Sequence, residues 1–129
     1  MVLQTVQVFD EQRGRVAGAL GVGYPIAAAA LGATGAFMSG SSTSSNALFS
    51  GFQAETALLI DAPPTALLAA QTVGANVGNS VAPVIVATGL GSVGAPREGG
   101  RVIREVLPAA LVLLVLATAL VCCSVWWLA

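Results

Sequence analysis

Two polar runs in an otherwise apolar sequence hold the residues that could do chemistry. The first run is SGSSTSSN at residues 39–46, and the second is GANVGNSVAP at residues 74–83. Their hydroxyl and amide groups can donate and accept hydrogen bonds, and helix N-termini beside them would attract an anion. The runs therefore predict a binding site for a small carboxylate. Its candidate residues are Ser41, Thr43, Ser44, Asn46, Asn76, Asn79 and Ser80.

Composition excludes an ordinary soluble enzyme domain. The 129 residues are 56% hydrophobic and 9% charged, whereas soluble domains carry about 25% charged residues. The sequence has no histidine and no lysine, so the usual general base and the Schiff-base lysine are missing. Five arginines and a net charge of −1 give no basic surface for nucleic acid. We expect neither an enzyme nor a nucleic-acid partner, but a protein whose partner is the lipid bilayer.

The spacing of charged residues divides the chain into three membrane-length stretches, at residues 16–54, 62–96 and 106–129. The last stretch fits one span of about 20 residues. The first two are too long for one straight helix at about 1.5 Å per residue, and each contains a polar run. We therefore predict an all-α integral membrane fold. It comprises a re-entrant helical hairpin over 24–60, a broken transmembrane helix over 63–95 and a final transmembrane helix over 106–128.

The ends and loops of this arrangement follow from charge. Residues 1–15 are predicted to be a polar N-terminal segment, and residues 16–129 the membrane region. Arg97, Arg101 and Arg104 would place a loop over 96–105 in the cytoplasm, because basic residues concentrate in cytoplasmic loops. The protein is expected to be multi-pass in a plasma membrane.

Helix breaks inside a bilayer are tolerated where they are buried or line a wet cavity, and transporters bind substrates at them. Ser44, Ser45 and Asn46 are predicted to cap a half-helix that begins after the first run. Pro83 suits the first turn of a half-helix after the second run. In the alternative interpretation the first run is an exposed loop between two short spans. Asn79 and Ser80 would then form hydrogen bonds between helices and would not bind a substrate. Gly74 and Gly78 form a G-x-x-x-G pattern that permits close helix packing.

The remaining reactive residues give few further sites. Glu55 is flanked by apolar sequence, and carboxylates within membranes are costly and usually functional. It is the candidate proton-coupling residue, unless it is simply solvated near Asp61. Adjacent Cys122 and Cys123 lie in an apolar run and suggest no metal or disulfide. The G-x-G-x-x-G pattern at 89–94 leads into Ala95-Pro96-Arg97 rather than a helix, so no nucleotide cofactor is predicted. Without histidine there is no Ser-His pair, and the sequence shows no cluster of metal ligands, so no catalytic residue or metal is predicted.

The sequence resembles the carboxyl-terminal end of the L-lactate permease family from about Ala17 onward. The resemblance is carried by GAFMSGSSTSSNALF at 35–49, then Gln53, GANVGNSVAP, Val93-Gly94 and Arg97-Glu98-Gly99. It implies a bacterial inner-membrane symporter that moves L-lactate, or glycolate, with protons. It also implies a hairpin, broken helix and last span, as in similar ion-coupled carboxylate transporters. This chain departs from the family at Ser42, where Asn or Asp is common, and at Val84 and Ile85, where polar residues follow the proline.

Members of that family are much longer than this chain. The resemblance therefore implies the C-terminal part of a secondary transporter, whose partner is the missing N-terminal part of the carrier. The alternative is a truncated, non-transporting membrane fragment, or an assembly partner that packs through its small residues.

Overall fold

A computed structural model describes residues 23–128, with side chains described for residues 23–124. All regular secondary structure within these residues is helical, and they contain no strand. The helices are α1 (Tyr24–Ser39), α2 (Ser42–Leu59), α3 (Pro64–Ser80), α4 (Pro83–Ser92) and α5 (Gly99–Leu128), with a 3-10 turn at Pro96–Glu98 before α5. The predicted polar segment 1–15, and residues 16–22 of the predicted membrane region, lie outside the described residues.

Helices α1 and α2 form a hairpin with a two-residue connection, Gly40-Ser41. Gly40 takes a left-handed conformation (φ 66°) and donates its N–H to the Ala36 carbonyl at 2.8 Å. This ends α1 in the usual way for a C-terminal glycine. The helix α2 then runs back along α1, where the Ser45 hydroxyl donates to the Gly32 carbonyl at 2.9 Å.

The N-cap of α2 is Ser41, whose hydroxyl accepts the Ser44 N–H at 3.1 Å. The prediction that Ser44, Ser45 and Asn46 cap this helix is wrong, because the helix begins earlier in the chain. Once Gly40 has ended α1, the first serine after it can cap, and the small polar residues that follow are tolerated in a first turn. The alternative of an exposed serine-rich loop is also wrong, because residues 42–46 are helical.

Helices α3 and α4 form a broken pair, bent by 43° at Val81 and Ala82. Pro83 lies in the first turn of α4, as predicted. The second polar run is otherwise helical through Ser80, so only two of its residues leave the helix.

Helices α1 and α3 lie parallel with their backbones in contact. A Cβ built at Gly74 would collide with the Ala29 carbonyl, and one at Gly78 with the Ala33 carbonyl. From the α1 side, a Cβ at Gly32 would collide with the Gln71 carbonyl. The close packing expected of the G-x-x-x-G pattern is therefore confirmed. The core beside it is made of small residues, among them Ala28, Ala36, Ala70 and Ala75.

Helix α5, together with the 3-10 turn before it, is a span candidate by itself. The most apolar 18-residue stretch within residues 96–124 has a mean hydropathy of 2.8. Helices α3 and α4, taken together as one bent span, are also long and apolar enough to cross a membrane. Within the described residues no other helix qualifies by length and composition. The helix begins at Gly99, so Arg101, expected in a loop, lies in its first turns and pairs with Glu105 at 3.0 Å.

Candidate functional site

The two helix breaks meet at the tip of the α1–α2 hairpin. A Cβ at Gly40 would collide with the Val84 side chain, and Ile85 Cγ1 lies 3.8 Å from the same point. The first turn of α4 therefore packs directly on the hairpin tip. Because α2 begins at Ser42 and α4 at Pro83, two helix N-termini converge there, each with N–H groups that have no partner within the helix.

The first polar run surrounds the N-terminus of α2. Thr43 and Ser44 are exposed, and Asn46 is partly buried. Ser39 stiffens the tip, since its hydroxyl donates to the Gly35 carbonyl at 2.8 Å and accepts the Ser41 N–H at 3.3 Å. The hydroxyl of Ser41 is committed to capping, whereas the exposed hydroxyls remain available to a ligand.

Gln71 is a site residue that the sequence did not single out. It is fully buried on α3, and its Nε2 donates to Asn46 Oδ1 at 3.3 Å and to the Ser45 carbonyl at 3.4 Å. Its Oε1 has no partner among the described residues. The sequence feature that could have identified it is a glutamine on a helix face otherwise made of Leu, Ala and Gly.

The second polar run is split between two faces of α3. Asn79 is partly buried, and its Oδ1 is enclosed without a hydrogen-bond partner in the described part of the chain. Ser80 is exposed, and its hydroxyl donates to the Val77 carbonyl at 2.6 Å. Asn76 is exposed, away from the glycine face that packs on α1. None of these three side chains pairs with the first run in the described residues.

Gln53 is a second buried amide. In the sequence it stood out only as part of the pattern that resembles the L-lactate permease family, and it was not predicted to be a site residue. It is 0% exposed, and neither Nε2 nor Oε1 has a partner among the described residues. It shares the buried face of α2 with Ser45 and Ala57. An unpaired buried amide costs about 1–3 kcal/mol, so this position is unfavourable for the unit unless a ligand, water or another part of the protein pairs with it.

Neither acidic residue of the described α2–α3 region lies at the hairpin tip. Glu55 is exposed on α2, and Asp61 is exposed in the turn between α2 and α3. Among the described residues, no group of three or more His, Cys, Asp or Glu side chains could hold a metal ion. The site offers hydroxyls, amides and helix N-termini, which bind anions by hydrogen bonding and not by ion pairing.

Comparison with known proteins gives the family. Over 74 residues the chain is 40% identical to the glycolate permease GlcA of Escherichia coli (strain K12); the match covers 57% of this chain and 13% of that protein. No solved structure matches. The sequence model of the L-lactate permease family matches residues 14–127, nearly the whole chain. The match confirms the resemblance of the two polar runs, and the chain belongs to the L-lactate permease family.

Proposed function

We propose that this chain forms the substrate-binding hairpin and broken helix of a secondary transporter. The carrier would be a multi-pass symporter that moves L-lactate or glycolate with protons across the bacterial plasma membrane, and it would not be an enzyme. Family membership and the similarity to a glycolate permease support this function. The observation that carries the site is the packing of Gly40 on Val84, which brings two helix breaks together.

The substrate carboxylate would bind at the convergent N-termini of α2 and α4. Asn46 is oriented for this role by Gln71, because its Oδ1 accepts the Gln71 amide. Its own Nδ2 group is then left to donate, which is what a carboxylate needs. Thr43 and Ser44 add exposed hydroxyls at the same helix end.

The second break would bind the other end of the substrate. Lactate and glycolate carry a hydroxyl that can donate a hydrogen bond, and Asn79 Oδ1 is an enclosed acceptor with no partner in the described residues. Ser80 and Asn76 lie on the same helix. A donor group on one break and an acceptor group on the other would match a 2-hydroxycarboxylate.

Replacing each amide separately tests the site. In the complete carrier that contains this segment, Asn46→Ala and Asn79→Ala should each lower uptake of labelled lactate and glycolate. We expect a loss of about tenfold or more, the value of one hydrogen bond to a charged ligand. Ser92→Ala is the matched control, because that hydroxyl donates to the Gly89 carbonyl at the far end of α4. Wild-type uptake by both variants, at equal amounts in the membrane, would remove the site assignment.

Glu55 is the proposed proton-coupling residue. It is exposed on α2, where the rest of a longer carrier could cover it. Glu55→Gln should abolish accumulation driven by a pH gradient but leave exchange of labelled for unlabelled substrate. Gradient-driven accumulation at the wild-type rate would exclude this role.

The alternative is a membrane fragment or assembly partner that does not transport. Expressed alone in a permease-deficient cell, the chain should give no uptake, since carriers of this kind bind substrate between repeats. Co-expression with the remainder of a family carrier should restore uptake under our proposal. Co-purification of the two pieces without uptake would favour the assembly partner.

A further inference from the structure

The exposed surface of α3 is a polar stripe. Its exposed residues are Thr65, Ala69, Thr72, Asn76 and Ser80. These positions are three or four residues apart, so they follow one side of the helix. The opposite side carries Gly74 and Gly78 and is buried against α1. The helix therefore has one small, buried face and one exposed face that is mostly polar.

Helix α5 presents the opposite kind of surface. Every exposed residue between Val106 and Leu120 is apolar, including Leu113, Val115 and Leu116. Exposed apolar residues of this kind suit contact with lipid tails. Unpaired polar groups are costly in hydrocarbon, so the polar stripe of α3 does not suit that environment.

The hydrogen bonds of the threonines also distinguish α3 from the other helices. On each of the other four helices a threonine hydroxyl donates to the carbonyl four residues earlier: Thr34, Thr56, Thr88 and Thr118. That bond satisfies the hydroxyl within its own helix, without water or another partner. Thr72 lies in the middle of α3 and makes no such bond to Leu68, and neither it nor the Asn76 amide pairs with any described residue.

We infer that Thr72 and Asn76 line a water-filled path along α3 that leads to the second helix break at Val81. The hydrated carboxylate would travel along this path, so the inference rests on the proposed function. Water satisfies the Thr72 hydroxyl and the Asn76 amide, and the anion meets no charged side chain on the exposed face of α3. Thr72 becomes a path-lining residue in addition to the residues of the proposed binding site.

Thiol labelling tests the path. The background is the complete carrier with Cys122→Ser, Cys123→Ser and any other cysteines replaced. Single cysteines are introduced as Thr72→Cys and Asn76→Cys, with Leu113→Cys and Leu116→Cys on α5 as matched exposed controls. The probe is the membrane-impermeant anion sulfonatoethyl methanethiosulfonate, applied to intact membranes. Labelling after denaturation in detergent gives the total thiol and the amount of each variant.

The path predicts that Thr72→Cys and Asn76→Cys react at least about tenfold faster than the α5 controls, because a solvated thiol ionises and reacts more readily. Slow labelling at both α3 positions, or equal labelling on α3 and α5, would overturn the inference. The first of these outcomes would mean that a helix of the carrier covers the stripe. If a cysteine variant fails to reach the membrane, Thr72→Val replaces it. Loss of the hydroxyl should then slow uptake, and unchanged uptake would count against the path.

Labelling without substrate keeps the path separate from the proposed function. Lactate or glycolate should slow the reaction at Asn76→Cys if the path carries them. Fast labelling that neither carboxylate slows would support a water-filled path and contradict the proposed substrates.

Discussion

The Gln71 Nε2 donates to Asn46 Oδ1 at 3.3 Å, so α2 and α3 are joined by an amide–amide hydrogen bond. Around it the interface consists mainly of small and apolar residues. Together with the bond from the same Nε2 to the Ser45 carbonyl at 3.4 Å, this contact fixes the register of the two helices and the orientation of Asn46.

A double-mutant cycle measures this bond. Asn46→Ala and Gln71→Ala should show a coupling energy of about 0.5–2 kcal/mol in the free energy of unfolding, measured by denaturant titration in detergent micelles. Thr72→Ala, next to Gln71 but exposed, should show no coupling to Asn46→Ala. Additive effects of Asn46→Ala and Gln71→Ala would mean that the two amides do not interact.

The hairpin tip can be tested with two glycines that share a backbone conformation. Gly40 (φ 66°) and Gly94 (φ 73°) both need the left-handed region, but only Gly40 has a side chain packed on it. Gly94→Ala should cost about 1–2 kcal/mol of stability from backbone strain. Gly40→Ala should cost about 1–3 kcal/mol more from the collision with Val84. Adding Val84→Ala should recover part of that extra loss; without recovery, the tip does not rest on α4.

The α1–α3 contact predicts opposite effects at two helical glycines. Gly74→Ala should destabilise by about 1–3 kcal/mol, because the new methyl group meets backbone that cannot move aside. Gly51 lies in α2 with nothing near its missing Cβ, so Gly51→Ala should stabilise by about 0.5–1 kcal/mol. Thermal unfolding followed by circular dichroism would rank the two variants. Equal effects would argue against backbone contact.

The cap of α2 is tested by two neighbouring serines. Ser41→Ala should lower stability by about 0.5–2 kcal/mol, since its hydroxyl accepts the Ser44 N–H. Ser44 contributes only its backbone to that bond, so Ser44→Ala should stay within about 0.5 kcal/mol of wild type. If Ser44→Ala were the more damaging, the helix would begin later, where the sequence first suggested.

Gln53 should show a conflict between stability and transport. Gln53→Leu removes two unpaired buried amide atoms and should leave stability unchanged or raise it by about 1–3 kcal/mol. In the complete carrier it should lower uptake if the amide serves a ligand or water. Gln71→Leu is the comparison, because it breaks an existing bond and should destabilise. A strongly destabilised Gln53→Leu would show that the amide is already paired in the carrier.

The sequence predicted the hairpin tip and the broken helix because helix length and charge spacing are global constraints. A stretch from Val16 to Ala54 cannot cross a bilayer once, so a reversal within it was necessary. The extent of each break was overestimated. Serine and asparagine disfavour helix interiors only weakly, and here the helix continues through Ser42–Asn46 and Asn76–Ser80.

The buried amides were harder to predict. Gln71 and Gln53 lie in long, mainly small-residue or apolar patterns where a glutamine is usually a surface residue. Their importance depends on which side of each helix is covered, and that is decided by packing between α1, α2 and α3. Both residues lie outside the two polar runs at 39–46 and 74–83.

The glycine contacts between α1 and α3 also determine what can move. Sliding one helix along the other would drive the Ala29 and Ala33 carbonyls over the Cα atoms of Gly74 and Gly78, so these helices form one rigid piece with the hairpin. The boundary with α5 is looser, since an apolar groove of about 500 Å³ separates Ile26 and Ala30 from Leu114 and Thr118. In a larger protein built on this unit, we expect the hairpin tip and the carboxyl-terminal end of α3 to keep a fixed spacing, because relative movement is easier along the boundary with α5.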